Sequence, residues 1–187
     1  SALERLERYV DLLLLANRDQ NLISKASEAE IWGRHILDSA QLERLAPDAA
    51  DWLDIGSGPG LPGLVLACLS DKPILLVEPR RKRVEFLAEA ASVLRLAHVR
   101  VEQAQIERVR GGPFGAVTAR AFAPLAALFE STVRLTDAST LWVLPKGRSA
   151  QQELVAAREA WQGVFHVEQS LTDADARIIV ARHVRPR

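Results

Sequence analysis

Asp54-Ile55-Gly56-Ser57-Gly58-Pro59-Gly60-Leu61-Pro62-Gly63 is the stretch on which the fold turns. The short apolar run 51–55 (DWLDI) ends in this loop, and a helical run at about 61–70 leaves it. Glycine is required where the backbone takes positive φ or must approach another group without a Cβ in between. A strand, a glycine-rich turn and a helix in this order place the turn at the carboxyl end of a parallel strand, where open α/β sheets bind ligands.

The same rhythm continues outward. Short apolar runs at 73–78, 98–102, 115–119, 139–144, 163–169 and 177–184 read as strands. Helical segments at about 80–95, 124–135 and 148–161, with a short turn near 105–109, fall between them. Strand, helix, strand implies a parallel sheet with right-handed crossovers. No helix fits between the last two strands, so Ser170 to Ala176 is expected to close a hairpin with one antiparallel strand. Upstream, Leu3, Leu6, Val10, Leu13 and Leu14 give residues 2–16 a helical period. A second helix is expected over 27–46, opened by Ser27 and Glu30 as a capping box and closed before Pro47. One domain covers 1–187: a helical cap at 1–47 and a Rossmann-like core at 51–187.

Composition agrees with a single globular unit. Of 187 residues, 48% are hydrophobic and 26% charged, with no apolar run long enough to cross a bilayer. The one cysteine, Cys68, excludes an internal disulfide and reads as core; no leader pattern is present, and a reducing cytoplasm is the expected compartment. Basic and acidic residues balance at 24 each, which argues against strong non-specific coating of nucleic acid. The balance is uneven along the chain: residues 1–93 carry 11 basic and 15 acidic side chains, residues 94–187 carry 13 and 9. Apart from Lys25, Lys72, Lys82 and Lys146, the basic residues are arginines, which suit phosphate and base recognition.

Two ligand classes use a loop of this kind. Gly58-x-Gly60-x-x-Gly63, with Glu78 twenty residues after Gly58, fits the dinucleotide fingerprint of nicotinamide-dependent oxidoreductases. Gly56-x-Gly58-x-Gly60 behind Asp54 resembles instead the first motif of S-adenosylmethionine-dependent methyltransferases. Pro59 and Pro62 favour the second reading, because a pyrophosphate cradle needs N–H groups that proline lacks. The expected antiparallel last strand points the same way, and Glu78 would then accept hydrogen bonds from the ribose hydroxyls.

Four motifs in order, GRHILDS (33–39), DIGSGPGLPG (54–63), TARAFAPL (118–125) and LPKG (144–147), resemble the ribosomal small-subunit methyltransferase G family, also called GidB. The likeness runs from about residue 9 to the terminal hairpin. It implies a Rossmann-like fold with a seven-stranded, mostly parallel sheet, an antiparallel terminal hairpin and N-terminal helices. It implies an S-adenosylmethionine-dependent enzyme that methylates N7 of guanosine 527 in the 530 loop of 16S ribosomal RNA. By the same resemblance Gly56 and Leu61 touch the methionine part of the cofactor, Ile106 and Glu107 meet the adenine, and Arg120 lies between cofactor and substrate; the loop motif itself adds Ser57, Gly58, Gly60 and Glu78 as cofactor-binding residues. The partner would be 16S RNA, the 30S subunit or an assembly intermediate, met by a monomer.

Guanine N7 has an in-plane lone pair and no proton, so its methylation needs no general base. Orientation then supplies the rate, and binding groups matter most. Arg120 could grip guanine O6 or a phosphate, or form a structural ion pair. Lys146 reads as a phosphate or rim contact, or a solvated lysine. His35 and Asp38, with Ser39, share one helical face; two metal ligands without a third are weak grounds for a metal site, so a hydrogen-bonded helix near the pocket is expected. Arg80, Arg81, Lys82 and Arg83 could meet RNA or form a solvated face.

Overall fold

The computed structural model describes residues 1–187. Seven strands form one sheet: β1 (Trp52–Ile55), β2 (Ile74–Val77), β3 (Val99–Glu102), β4 (Ala116–Ala119), β5 (Leu141–Gly147), β6 (Trp161–Gln169) and β7 (Arg177–Pro186), in the order β3-β2-β1-β4-β5-β7-β6. The first five are parallel, and β7 runs antiparallel to both β5 and β6, as the hairpin reading required. From β1 the order runs outward both ways, to β2 on one side and β4 on the other. That reversal makes the carboxyl ends of β1 and β4 the switch point, where this sheet type opens a crevice. The glycine loop follows β1 and Arg120 follows β4.

The central strands are buried on both faces, so their side chains divide between two cores. Trp52 faces a cluster shared with Leu64, Phe86 and Leu87, from α4 (Gly63–Leu69) and α5 (Arg81–Val93). Leu53 and Ile55 face the other, with Leu128 and Phe129 of α6 (Leu125–Thr132) and Leu154 of α7 (Ala150–Ala157). Asp54, alternating with them, is buried on the α4 side.

The N-terminal helix α1 (Ala2–Gln20) joins the first cluster through Leu6, Tyr9, Val10 and Leu13. It runs one turn beyond the expected 2–16 because the buried stripe continues through a polar residue, Asn17, whose Oδ1 accepts the Ile23 N–H at 2.8 Å. The expected helix over 27–46 is broken into pieces. Ser24, not Ser27, is the cap: its Oγ accepts the Ser27 N–H, opening α2 (Lys25–Glu28). A π-helical turn (Trp32–Leu37) leads directly into α3 (Asp38–Ala40), and a 3-10 turn (Glu43–Leu45) ends the region. Ser27 is spent elsewhere, accepting or donating at 2.9 Å to His35 Nε2. No helix of the fold is long and apolar enough to cross a membrane.

Candidate active site

Gly56, Gly58 and Gly60 all have positive φ, at 66°, 55° and 95°. At Gly56 the requirement is also spatial, since a Cβ there would lie 2.8 Å from the Phe122 ring. Gly63 starts α4 by donating its N–H to Asp54 Oδ2 at 3.1 Å, and a Cβ would collide with that oxygen and with Leu76. The loop is tied down on its other side by Glu78. Its Oε2 accepts the Gly58 N–H at 3.0 Å and its Oε1 accepts the Arg80 N–H at 2.9 Å. Glu78 is buried, yet each carboxylate oxygen keeps a free lone pair at the edge of the hollow.

Two adjoining hollows meet over the loop. One, of about 420 Å³, is lined by Gly56, Ser57, Gly58, Leu61, Glu78 and Arg120 among others. The other, of about 320 Å³, is lined by Gly56, Pro79, Ile106, Glu107 and Phe122 among others. Gly56, Pro79 and Phe122 belong to both, so together they form a bent cleft running from Arg120 to Ile106. Its size suits a nucleoside-sized ligand.

Arg120 is the junction. It also lines a hollow of about 590 Å³ with Phe122, Lys146 and Arg177, and a groove of about 1100 Å³ with Trp32, Arg34 and His35. Its guanidinium donates to His35 Nδ1 at 3.2 Å and lies 4.0 Å from Asp38 Oδ2. Because Nδ1 accepts, the ring proton sits on Nε2 and is donated to Ser27. Burial, aided by the Arg120 charge and opposed by Asp38, pushes His35 down to about 4. Asp38 Oδ1 accepts from Gln41 Nε2 and Thr172 Oγ1, which ties the π-helical turn to the β6–β7 hairpin. No three His, Cys, Asp or Glu side chains cluster as metal ligands.

Residues 2–183 match the family model described as rRNA small subunit methyltransferase G. The chain belongs to that family. The family's cofactor is S-adenosylmethionine, and this chain is a methyltransferase of ribosomal RNA. It is 51% identical to ribosomal RNA small subunit methyltransferase G of Sphingopyxis alaskensis, over 94% of this chain and 76% of that one. It is 47% identical to that of Novosphingobium aromaticivorans, over 97% and 81%. Among solved structures, the O-methyltransferase from Bacillus cereus in complex with SAH superposes with TM-score 0.63 at 16% identity, covering 94% of this chain and 90% of that one. A methyltransferase from Geobacter sulfurreducens does so with TM-score 0.64 at 14% identity, over 94% and 88%. At those identities the structures share the fold.

Most residues expected from the sequence meet in the cleft: Gly56, Ser57, Gly58, Leu61, Glu78, Ile106, Glu107 and Arg120 line it. Gly60 does not. It lines neither hollow, and a Cβ there would lie 2.5 Å from Leu64, so its role is packing of the loop on α4. Lys146 is neither solvated nor free for phosphate: with 9% of its side chain exposed, it donates to the Ala123 carbonyl at 2.6 Å and pairs with Glu153 at 2.9 Å. Of the 80–83 run, Arg80 and Arg83 face the cleft while Arg81 pairs with Glu85 on the surface. His35 and Asp38 both face Arg120, His35 through a hydrogen bond and Asp38 across 4.0 Å, from a π-helical turn and the short α3 instead of one continuous helix. Phe122 was missed; an aromatic two residues after an arginine at a strand end was its only signal. Tyr9, whose phenol donates to the Pro59 carbonyl in the loop, was also missed, because its helical period reads simply as core.

Proposed function

We propose that this methyltransferase transfers the methyl group of S-adenosylmethionine to N7 of guanosine 527, in the 530 loop of 16S ribosomal RNA, within the 30S subunit or an assembly intermediate of it. The observation that carries the reading is the position of Arg120, shared between the glycine-loop cleft and the two larger openings beside it. When bound, S-adenosylmethionine supplies an electrophilic methyl group on a sulfonium sulfur.

The residues present fit that cofactor. Glu78 keeps acceptor capacity for ribose hydroxyls beside a backbone it already holds. Ile106 gives an apolar wall and Glu107 a backbone edge for an adenine, and Gly56, having no Cβ, lets the Phe122 ring pack against the loop where the two hollows meet. The guanine is read as entering the opening lined by Arg120, Phe122 and Lys146. Arg120 has donors left over after its bond to His35 Nδ1, and they suit guanine O6 or a neighbouring phosphate. No proton leaves N7, so the chain need only orient the base and exclude water. The whole chain acts as one catalytic unit, with 1–47 as a cap on 51–187, working as a monomer in the cytoplasm.

The test is transfer of tritiated methyl to 16S RNA, naked and in 30S particles, with the position read by N7-methylguanine-specific strand cleavage. Label at guanosine 527 is the expected result; label in no ribosomal RNA sinks the proposal. Isothermal titration with S-adenosylhomocysteine and with NAD checks the cofactor separately.

A further inference from the structure

We infer that Trp32 is a stacking platform for a nucleotide next to the methylated guanosine. The inference rests on the ribosomal RNA reading above. Of the four tryptophans, Trp52, Trp142 and Trp161 are buried, whereas Trp32 is 42% exposed on the π-helical turn. Its ring is the one large aromatic surface in the groove that Arg120 also lines.

The setting names the contact. Trp32 lines the groove of about 1100 Å³ between the π-helical turn and the hairpin residues Thr172, Asp173 and Ala174. Asp38, Arg120 and Ala176 line both this groove and the opening in which the guanine is read to sit. An RNA strand placing one base against Arg120 therefore has this groove directly beside it. Its charges nearly offset, Arg34 and Arg120 against Glu30, Asp38 and Asp173, so it is not built to follow phosphates. An indole face suits the flat surface of an unpaired base, and loops of ribosomal RNA present such bases splayed from the stack.

Steady-state methylation of whichever ribosomal substrate the wild-type enzyme accepts tests this. Trp32→Ala is expected to raise KM for RNA roughly ten-fold. Its kcat should stay within roughly two-fold, as for a contact made equally in ground and transition states. S-adenosylhomocysteine affinity should be unchanged, and Trp32→Phe should recover most of the loss. An unchanged KM overturns the inference, and so does a parallel loss of S-adenosylhomocysteine binding, which would make the effect structural. Reconstituted substrate with an abasic site on either side of the guanosine separates RNA from protein contacts. At one side the abasic site should cost the wild type about what Trp32→Ala costs and add nothing to the variant. Additive losses on both sides mean that Trp32 meets something other than a flanking base. Absence of methylation by the wild type would instead remove the ribosomal RNA reading itself.

Discussion

The phenol of Tyr9, in the first helix, donates a 2.8 Å hydrogen bond to the carbonyl of Pro59, in the glycine loop fifty residues away. The first helix thus holds the glycine loop from behind. Tyr9 is fully buried, and burial holds its hydroxyl well above the ordinary tyrosine range, so it stays a donor at neutral pH.

Tyr9→Phe removes that donor and leaves the Pro59 carbonyl without its partner. The expected stability loss is about 1–2 kcal/mol, seen as a lower Tm. The more telling outcome is a several-fold weaker S-adenosylhomocysteine affinity by titration calorimetry at a temperature where the variant is fully folded. Unchanged affinity would show that the loop keeps its shape without the cap.

Asp54 gives a stability dependence on pH with an unusual sign. Burial pushes it up to about 7, against 3.8 for an ordinary aspartate. Between those values an unfolded chain gives up the proton that the folded chain keeps. The group therefore favours unfolding progressively from about pH 4 to about pH 7, with no further change above that. Asp54→Asn keeps an acceptor for the Gly63 N–H and removes the titration. The wild-type stability minus that of the variant, by urea denaturation, should fall by a few kcal/mol, roughly, across this window. A flat difference would place an ionised carboxylate in the fold at neutral pH.

The parts of this site that sequence displays are those whose cause is local. The positive-φ glycines after β1 answer to the local turn of the backbone, and the acid after β2 stands out by its spacing from them; of these Gly56, Gly58 and Glu78 line the cleft and Gly60 does not. The irregular 27–46 region was not legible, because its shape is decided by distant partners: His35 by Arg120, and Asp38 by Thr172 of the hairpin. The uneven charge of the two sequence halves does not locate the arginines, for a similar reason. Arg80 and Arg83 from the acidic half meet Arg120 from the basic half at one cleft, which no linear count displays.

Arg120→Ala should lower methyl transfer by about 10²-fold or more, the scale of a misoriented reacting pair. Stability should fall by less than about 1 kcal/mol, since the Asp38 contact is long and partly exposed. An independent readout is His35. Loss of the neighbouring positive charge should raise its midpoint above the wild-type value of about 4, while burial keeps it below the ordinary 6.5, as followed by NMR of the ring protons. Near-normal transfer would remove Arg120 from the site; an unmoved His35 midpoint would remove the contact.

Lys146 decides between a rim cation and a clamp. Its partner Glu153 also accepts the Leu125 N–H at 3.0 Å, while Lys146 itself holds the Ala123 carbonyl. Together they grip the loop that carries Phe122 and Arg120 into the cleft, from a strand on one side and α7 on the other. Lys146→Met keeps the aliphatic stem but leaves Glu153 and the Ala123 carbonyl without their partner, for a stability loss of roughly 2–3 kcal/mol. As a clamp, its loss should weaken S-adenosylhomocysteine binding through the loosened Phe122 loop and leave the salt dependence of RNA binding unaltered. A phosphate contact would do the reverse: stability and cofactor affinity intact, with the slope of log affinity against log salt reduced by roughly one.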